Sequence, residues 1–215
     1  MDCNTHRKVR ICLDAGHGGW QSGRKVIVPD LSRGSDSVPV HESDLNWHLK
    51  NRIYDALDAT GGFEILDTRP SLLDGPTPGG RVRMSDAFGA DVFLSIHANG
   101  WHDDGPNGWE VWYAGDHADD NRSWWLANGI ANRFRDFPIA ERGLRPREGD
   151  RNDVMHRSHK TVLSENPNPV ATVLIEAGFM SNKTDLDWMA SRDGQSSIAH
   201  AVCLAVTDFS RRLVA

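Results

Sequence analysis

The sequence predicts an α/β fold: a single open, twisted, mostly parallel sheet with helices on both faces. Three observations predict it. Short apolar runs stop abruptly at small or polar residues, as at Leu13-Asp-Ala-Gly, Ile96-His-Ala-Asn and Ile175-Glu-Ala-Gly. Between them lie segments whose apolar residues recur at helical spacing, the mark of a helix with one buried face. No internal repeat, low-complexity tract or linker interrupts this alternation, which is the pattern of strands joined through helices.

Arg10 to Leu13 reads as a strand ending in the glycine-rich turn Asp14-Ala-Gly-His-Gly-Gly19. Residues 18–40 are rich in Gly, Ser, Pro and Asp and read as a long loop, which in a compact domain is usually functional. Residues 43–59 carry the stripe Leu45, Leu49, Ile53 and Leu57 and read as a helix, stopped by Gly61 and Gly62. Phe63 to Leu66 is a strand, residues 70–80 a Pro/Gly loop, and Arg81 to Phe88 a helix. Asp91 to Ile96 is a buried strand and Gly108 to Tyr113 an aromatic one. Residues 121–136 are helical, and 143–169 irregular and polar. Ala171 to Ile175 is a buried strand, followed by helices at 183–190 and 196–213. In the last helix Ile198, Val202, Val206 and Phe209 share one face.

The chain has 215 residues, 39% hydrophobic and 25% charged, which suits one soluble globular domain. We expect that domain to fill residues 1–215, with its core in about 9–213. A net charge of −6 and the lack of a long basic stretch exclude nucleic-acid binding on electrostatic grounds. The cluster Arg142 to Arg147 remains a local basic contact surface. Cys3, Cys12 and Cys203 are odd in number and scattered, so they form neither a disulfide framework nor a thiolate metal site. The N-terminal MDCNTHRKVR lacks the apolar region of a signal peptide, and no run is long enough to span a membrane. The expected location on synthesis is the cytoplasm. Eight Trp against two Tyr provide flat faces with a polar handle, suited to sugars and peptides as well as to a core.

Three strand ends deliver a chemically active side chain flanked by small residues: His17, His97 and Glu176. In open α/β sheets ligands bind beyond the carboxyl ends of the strands. Two histidines with a carboxylate and an open position make a common catalytic zinc site. Glu42, opening the helix after the long loop, qualifies as the carboxylate. Glu176, off the metal, then fits the role of proton shuttle. Each residue alone has a plainer explanation. His17 and His97 can be turn or core residues, Glu42 a carboxylate favoured by the helix dipole, and Glu176 an ion-pair partner. Their joint placement favours the metal site. Of the other histidines, His41, His102, His117, His159 and His200 read as solvated and His48 points away from Glu42, while His156 lies in a polar stretch that could fold over the site.

Four segments occur in order: Leu13-Asp-Ala-Gly-His-Gly-Gly19, Glu42-Ser-Asp-Leu-Asn46, Ser95-Ile-His-Ala-Asn99 and Leu174-Ile-Glu-Ala-Gly-Phe-Met-Ser-Asn182. Together they resemble the zinc-dependent N-acetylmuramoyl-L-alanine amidases of the Amidase_3 class, found in autolysins, spore-cortex enzymes and phage endolysins. Gly108 to Tyr113, Arg142-Gly143, Arg69 and Arg81 also resemble that family, so the likeness spans roughly residues 9–210. The resemblance implies one Zn²⁺ per chain on His17, Glu42 and His97, with Glu176 as the catalytic glutamate. It implies hydrolysis of the amide between N-acetylmuramic acid and L-alanine of peptidoglycan. Asn46 matches a family position behind Glu42, although a helix-surface role explains it equally well. Asn99, Trp20 and Arg81 are expected on the substrate, with Trp101 and Trp109 as further aromatic candidates near the motifs. Gln21 stands where the family often has Asp, a departure at the substrate rim.

Competing readings lack their signatures. A carboxypeptidase-like zinc enzyme needs a His-x-x-Glu pair after a strand, and a non-catalytic wall-binding module would have lost a ligand or Glu176. The expected setting is a monomeric phage-type endolysin without a wall-binding domain, reaching the wall after release. The alternatives are a host autolysin, or another zinc peptidase or amidase acting on cell-wall peptides.

Overall fold

The computed structural model describes residues 7–29, 37–115, 121–147 and 170–213. The strands are β1 (Val9–Ala15), β2 (Lys25–Pro29), β3 (Ser37–His41), β4 (Phe63–Asp67), β5 (Val92–Asn99), β6 (Trp109–Ala114), β7 (Glu141–Arg147) and β8 (Ala171–Phe179). The helices are α1 (Glu42–Asp58), α2 (Pro78–Phe88), α3 (Arg122–Phe134), α4 (Lys183–Ala190) and α5 (Arg192–Leu213). Six strands form one sheet in the order β4-β1-β5-β8-β6-β7. β4, β1, β5 and β8 run parallel; β6 is antiparallel to β8, and β7 parallel to β6.

The stripe predicted for α1 packs inward, with Leu45, Leu49, Ile53 and Leu57 all buried, against the same core as Ile198, Val202, Val206 and Phe209 of α5. α1, α3 and α5 cover one face of the sheet. On the other face a smaller cluster of Cys12, Ala90, Phe93 and Ala114 meets Phe88 of α2. Helix starts follow their caps: the Thr77 side chain accepts from Gly80 N ahead of α2, and the Asn182 side chain from Thr184 N and Asp185 N ahead of α4. No described helix is long and apolar enough to cross a membrane.

Two expectations are corrected. Residues 18–40 are not all loop, because β2 and β3 pair as an antiparallel hairpin with Val26 opposite Val40. Both valines pack on the core, but surrounding Gly, Ser and Pro residues hide so short an apolar signal. Residues 143–147, expected to be irregular, belong to the edge strand β7. Its composition, Glu-Arg-Gly-Leu-Arg-Pro-Arg, is polar because an edge strand need not be buried on both faces. His117, His156 and His159 lie outside the described residues.

The carboxyl end of β1 is held from below by buried charge. Asp14 accepts hydrogen bonds from Arg81, Thr68 and Ser95, the last at 2.8 Å. Arg81 also donates to the carbonyls of Pro76, Ala15 and His17, at 3.0, 2.6 and 2.5 Å. Arg69 donates to the carbonyls of Ala15, Gly16, Ser43, Leu72 and Asp74 at 2.9–3.3 Å. Arg69 is 0% and Arg81 4% exposed. Arg81, expected on the substrate, is thus engaged with Asp14 and with the backbone at the end of β1. Trp109, an aromatic candidate for the rim, is instead fully buried, edge-on to Phe134.

Breaking the Arg81–Asp14 pair strands a buried carboxylate, so Arg81→Met should destabilise the fold by about 3–5 kcal/mol in urea unfolding. An unchanged unfolding midpoint would show that the network carries no structural weight.

Candidate active site

β1 ends at Ala15, and His17, two residues on, takes a left-handed conformation, φ 62°. Such a conformation is costly for a residue with a β-carbon. The hydrogen bond from Arg81 to the His17 carbonyl helps to hold it. His97 lies near the end of β5, with its ring against bare backbone at Gly16. A β-carbon at Gly16 would come within 2.1 Å of the His97 ring. Gly23 (φ 69°) is equally constrained, since a β-carbon there would meet a Glu42 carboxylate oxygen at 2.5 Å.

Glu42 is the first residue of α1 and is 6% exposed. Its Oε1 lies 3.0 Å from His17 Nε2 and 3.1 Å from His97 Nδ1. Its Oε2 accepts the Arg24 backbone N–H at 2.9 Å, so the hairpin base fixes the carboxylate from the other side. Asn46, one turn along α1, donates to Glu42 Oε1 and to the Gly16 carbonyl, both at 3.3 Å. The two imidazole rings meet edge-on with centroids 5.2 Å apart.

Burial alone would push the Glu42 carboxyl up. Hydrogen bonds from His17 and His97 outweigh it and hold the group well below the usual carboxylate range. For His97, burial favours the neutral ring, but the hydrogen bond to Glu42 and the nearby charge of Glu176 raise its pKa above the ordinary value.

The ligand atoms of His17, Glu42 and His97 all lie within 4.8 Å of one another. A tetrahedral ion with bonds of about 2.0–2.2 Å sets its ligand atoms roughly 3.4 Å apart, a spacing these side chains reach by small rotations. The donor set of two imidazoles and one carboxylate therefore fits a metal ion of the zinc type.

Glu176, half-buried on β8, stands opposite His97 of β5 and, on its other side, opposite Glu110 of β6. One face of three neighbouring strands thus carries His97, Glu176 and Glu110 in a row. Glu110 accepts from Arg142 Nε at 2.6 Å and from Trp112 Nε1 at 3.0 Å. The β5–β8 register shifts immediately beyond His97, a bulge of the kind that re-aims side chains at functional sites.

Among the expected substrate contacts, Asn99 is half-buried at the end of β5, where its side chain accepts from Gly100 N and its carbonyl from Met180 N. Trp20 is 87% and Trp101 49% exposed, so both present aromatic surface at the rim. His102 and His200 are exposed as expected and His48 is exposed too, whereas His41 is half-buried. Neither Arg24 nor Glu110 stands out in the sequence. Arg24 acts through its backbone amide, which leaves no residue-type signal. Glu110 sits within an aromatic strand that resembles the family as a segment.

Fold and site together define an α/β domain of hydrolase type with a two-histidine, one-carboxylate centre. Residues 11–208 match the N-acetylmuramoyl-L-alanine amidase family, Amidase_3, and the chain belongs to that family. It is 27% identical over 198 residues to the N-acetylmuramoyl-L-alanine amidase LytC of Bacillus subtilis, covering 89% of this chain and 34% of that protein. It is 26% identical over 197 residues to the amidase CwlM of Mycobacterium tuberculosis, covering 92% of this chain and 44% of that protein. The chain thus spans less than half the length of these two curated relatives. Among solved structures it resembles the amidase AmiC2 of Nostoc punctiforme, with TM-score 0.71, 27% identity and coverage of 96% of this chain and 99% of that one. The CwlV catalytic domain of Bacillus (Paenibacillus) polymyxa var. colistinus shares the fold, with TM-score 0.72, 24% identity and coverage of 94% and 98%.

The pKa directions set a pH dependence for the metal-free protein. Stability from protonated His97 is complete below about pH 6.5 and lost as pH rises through its raised pKa. Stability from ionised Glu42 is complete above about pH 4.3 and lost as pH falls through its depressed pKa. An NMR titration of metal-free protein should place the His97 midpoint above about 6.5, and Glu42→Gln should lower it. A wild-type midpoint at or below that value would contradict the geometry.

Proposed function

We propose that this chain is a zinc-dependent N-acetylmuramoyl-L-alanine amidase that cleaves the amide between N-acetylmuramic acid and the L-alanine of the peptidoglycan stem. The observation that carries the reading is the convergence of His17, Glu42 and His97, with Glu176 beside His97 on the next strand. Family membership supports the choice of bond.

His17, Glu42 and His97 would hold the ion, which when bound polarises a carbonyl and makes a water nucleophile available near neutral pH. Asn46 and the Arg24 amide hold the Glu42 carboxylate against rotation. Glu176 takes the proton from the attacking water and delivers it to the alanine nitrogen as the amide breaks. Its position opposite His97 on the next strand supports that role. Asn99 and the exposed Trp20 face the substrate rim in this reading. The setting we propose is lytic: a monomeric enzyme of phage endolysin type, made in the cytoplasm and acting at the wall. A holin gene beside it would support that setting.

Digestion of purified peptidoglycan should release stem peptides with free N-terminal L-alanine, identified by mass spectrometry. New reducing ends, or cuts inside the peptide, would refute the assignment. His17→Ala, Glu42→Ala and His97→Ala should each lose bound zinc on metal analysis. Glu176→Gln should keep the zinc and the fold but lower kcat roughly 10²–10⁴-fold. Near-normal turnover in Glu176→Gln would remove it as the proton carrier.

A further inference from the structure

We propose that Arg142 anchors a carboxylate of the stem peptide, presented beside Glu176 by Glu110 and by a bulge in β7. This rests on the amidase reading and adds to it the direction in which substrate lies across the sheet.

Register provides the first observation. β6 and β7 pair Trp109 with Glu141 and then Glu110 with Gly143, which leaves Arg142 as the extra residue. Gly143 absorbs the distortion with φ 80°. A bulge turns a side chain that regular alternation would send elsewhere. Here the turned side chain is a guanidinium, and it arrives at the row His97–Glu176–Glu110.

Its surroundings fix it in place. Arg142 Nε donates to Glu110 Oε1 at 2.6 Å, and the guanidinium carbon stands 5.1 Å from the centroid of the Phe179 ring. Arg145 approaches the same Glu110 oxygen at 3.9 Å. One buried carboxylate therefore faces two guanidinium groups, leaving the three residues together with a net positive charge. The Arg142 side chain is 37% exposed, so it meets solvent at the site. A guanidinium oriented from behind and open in front is suited to forked binding of a carboxylate.

Position selects the group it takes. Glu176 lies between the metal-ligating His97 and Glu110. The bond that breaks must lie at the His97–Glu176 end, and the nitrogen that leaves must be next to Glu176. The chain attached to that nitrogen is the stem peptide, and it continues towards Glu110 and Arg142. The sugar lies in the opposite sense and has no anion to offer Arg142. A merely structural ion pair at this half-exposed position would be worth little and would not distinguish one substrate from another.

The test uses two soluble muramyl peptides that differ at the second stem residue, one with a free carboxylate and one with that carboxylate amidated. Release of the amine-terminal peptide is followed for the zinc-loaded wild type, Arg142→Gln and Arg142→Lys. The wild type should show a KM roughly tenfold lower for the free carboxylate, equivalent to about 1.4 kcal/mol. Arg142→Gln should raise KM for that substrate to the amidated level while kcat stays close to wild type. Arg142→Lys should recover part of the difference, since it keeps charge without the fork. Equal KM for both substrates in the wild type, or an unchanged preference in Arg142→Gln, overturns the assignment. If the wild type releases no such peptide from either substrate, the amidase reading itself fails. Zinc content and unfolding midpoint, measured on each variant, separate loss of binding from loss of fold.

Discussion

Two buried guanidinium groups determine where the chemistry can occur. Arg69 and Arg81 satisfy the carbonyls of Ala15, Gly16 and His17, the groups that β1 leaves unpaired as it ends. A buried carbonyl without a partner costs more than a typical hydrogen bond gains. These arginines thus make a tight, left-handed turn affordable at a histidine. Once that turn is set, Gly16 lies flat beneath the His97 ring and Gly23 beside the Glu42 carboxylate. The turn that carries His17 is thus held by charge from below, while α1 and the Arg24 amide bring Glu42 to it.

The same constraint explains what the sequence reveals and what it hides. The parallel strands β1, β5 and β8 are legible because burial on both faces demands continuous apolar runs. α1 is legible because its stripe has a clear period. His17, His97 and Glu176 stand out because each follows such a run among small residues. The hairpin β2–β3 is obscured because Val26 and Val40 stand among Gly, Ser and Pro residues that hide so short a pattern. β7 is obscured because it is a polar edge. Glu42 carries little signal of its own, since an acidic residue at a helix start has an ordinary electrostatic explanation. Only the fold brings it to the two histidines.

Arg81 and Trp109 show the complementary difficulty. Both residue types are common on binding surfaces, and both lie near motifs, but they serve the interior. The Arg81 side chain finds a buried carboxylate in Asp14, and Trp109 fills space against Phe134. Proximity in sequence to a functional segment does not tell which side of the backbone a side chain takes. In a strand that choice alternates at every residue, and bulges at the two site-bearing ladders reset it.

The reversal of strand direction between β8 and β6 has a geographical consequence. The carboxyl ends of β1, β5 and β8 share a rim with the amino ends of β6 and β7. The segments that enter β6 and β7, residues 100–108 and 135–140, therefore border the chemistry. The chain that leaves β6 at Ala114 departs from the opposite pole of the sheet. Sequence change in the two entering segments alters the surface around His17, Glu42 and His97. The fold thus separates a rim that borders the site from a pole at its far end.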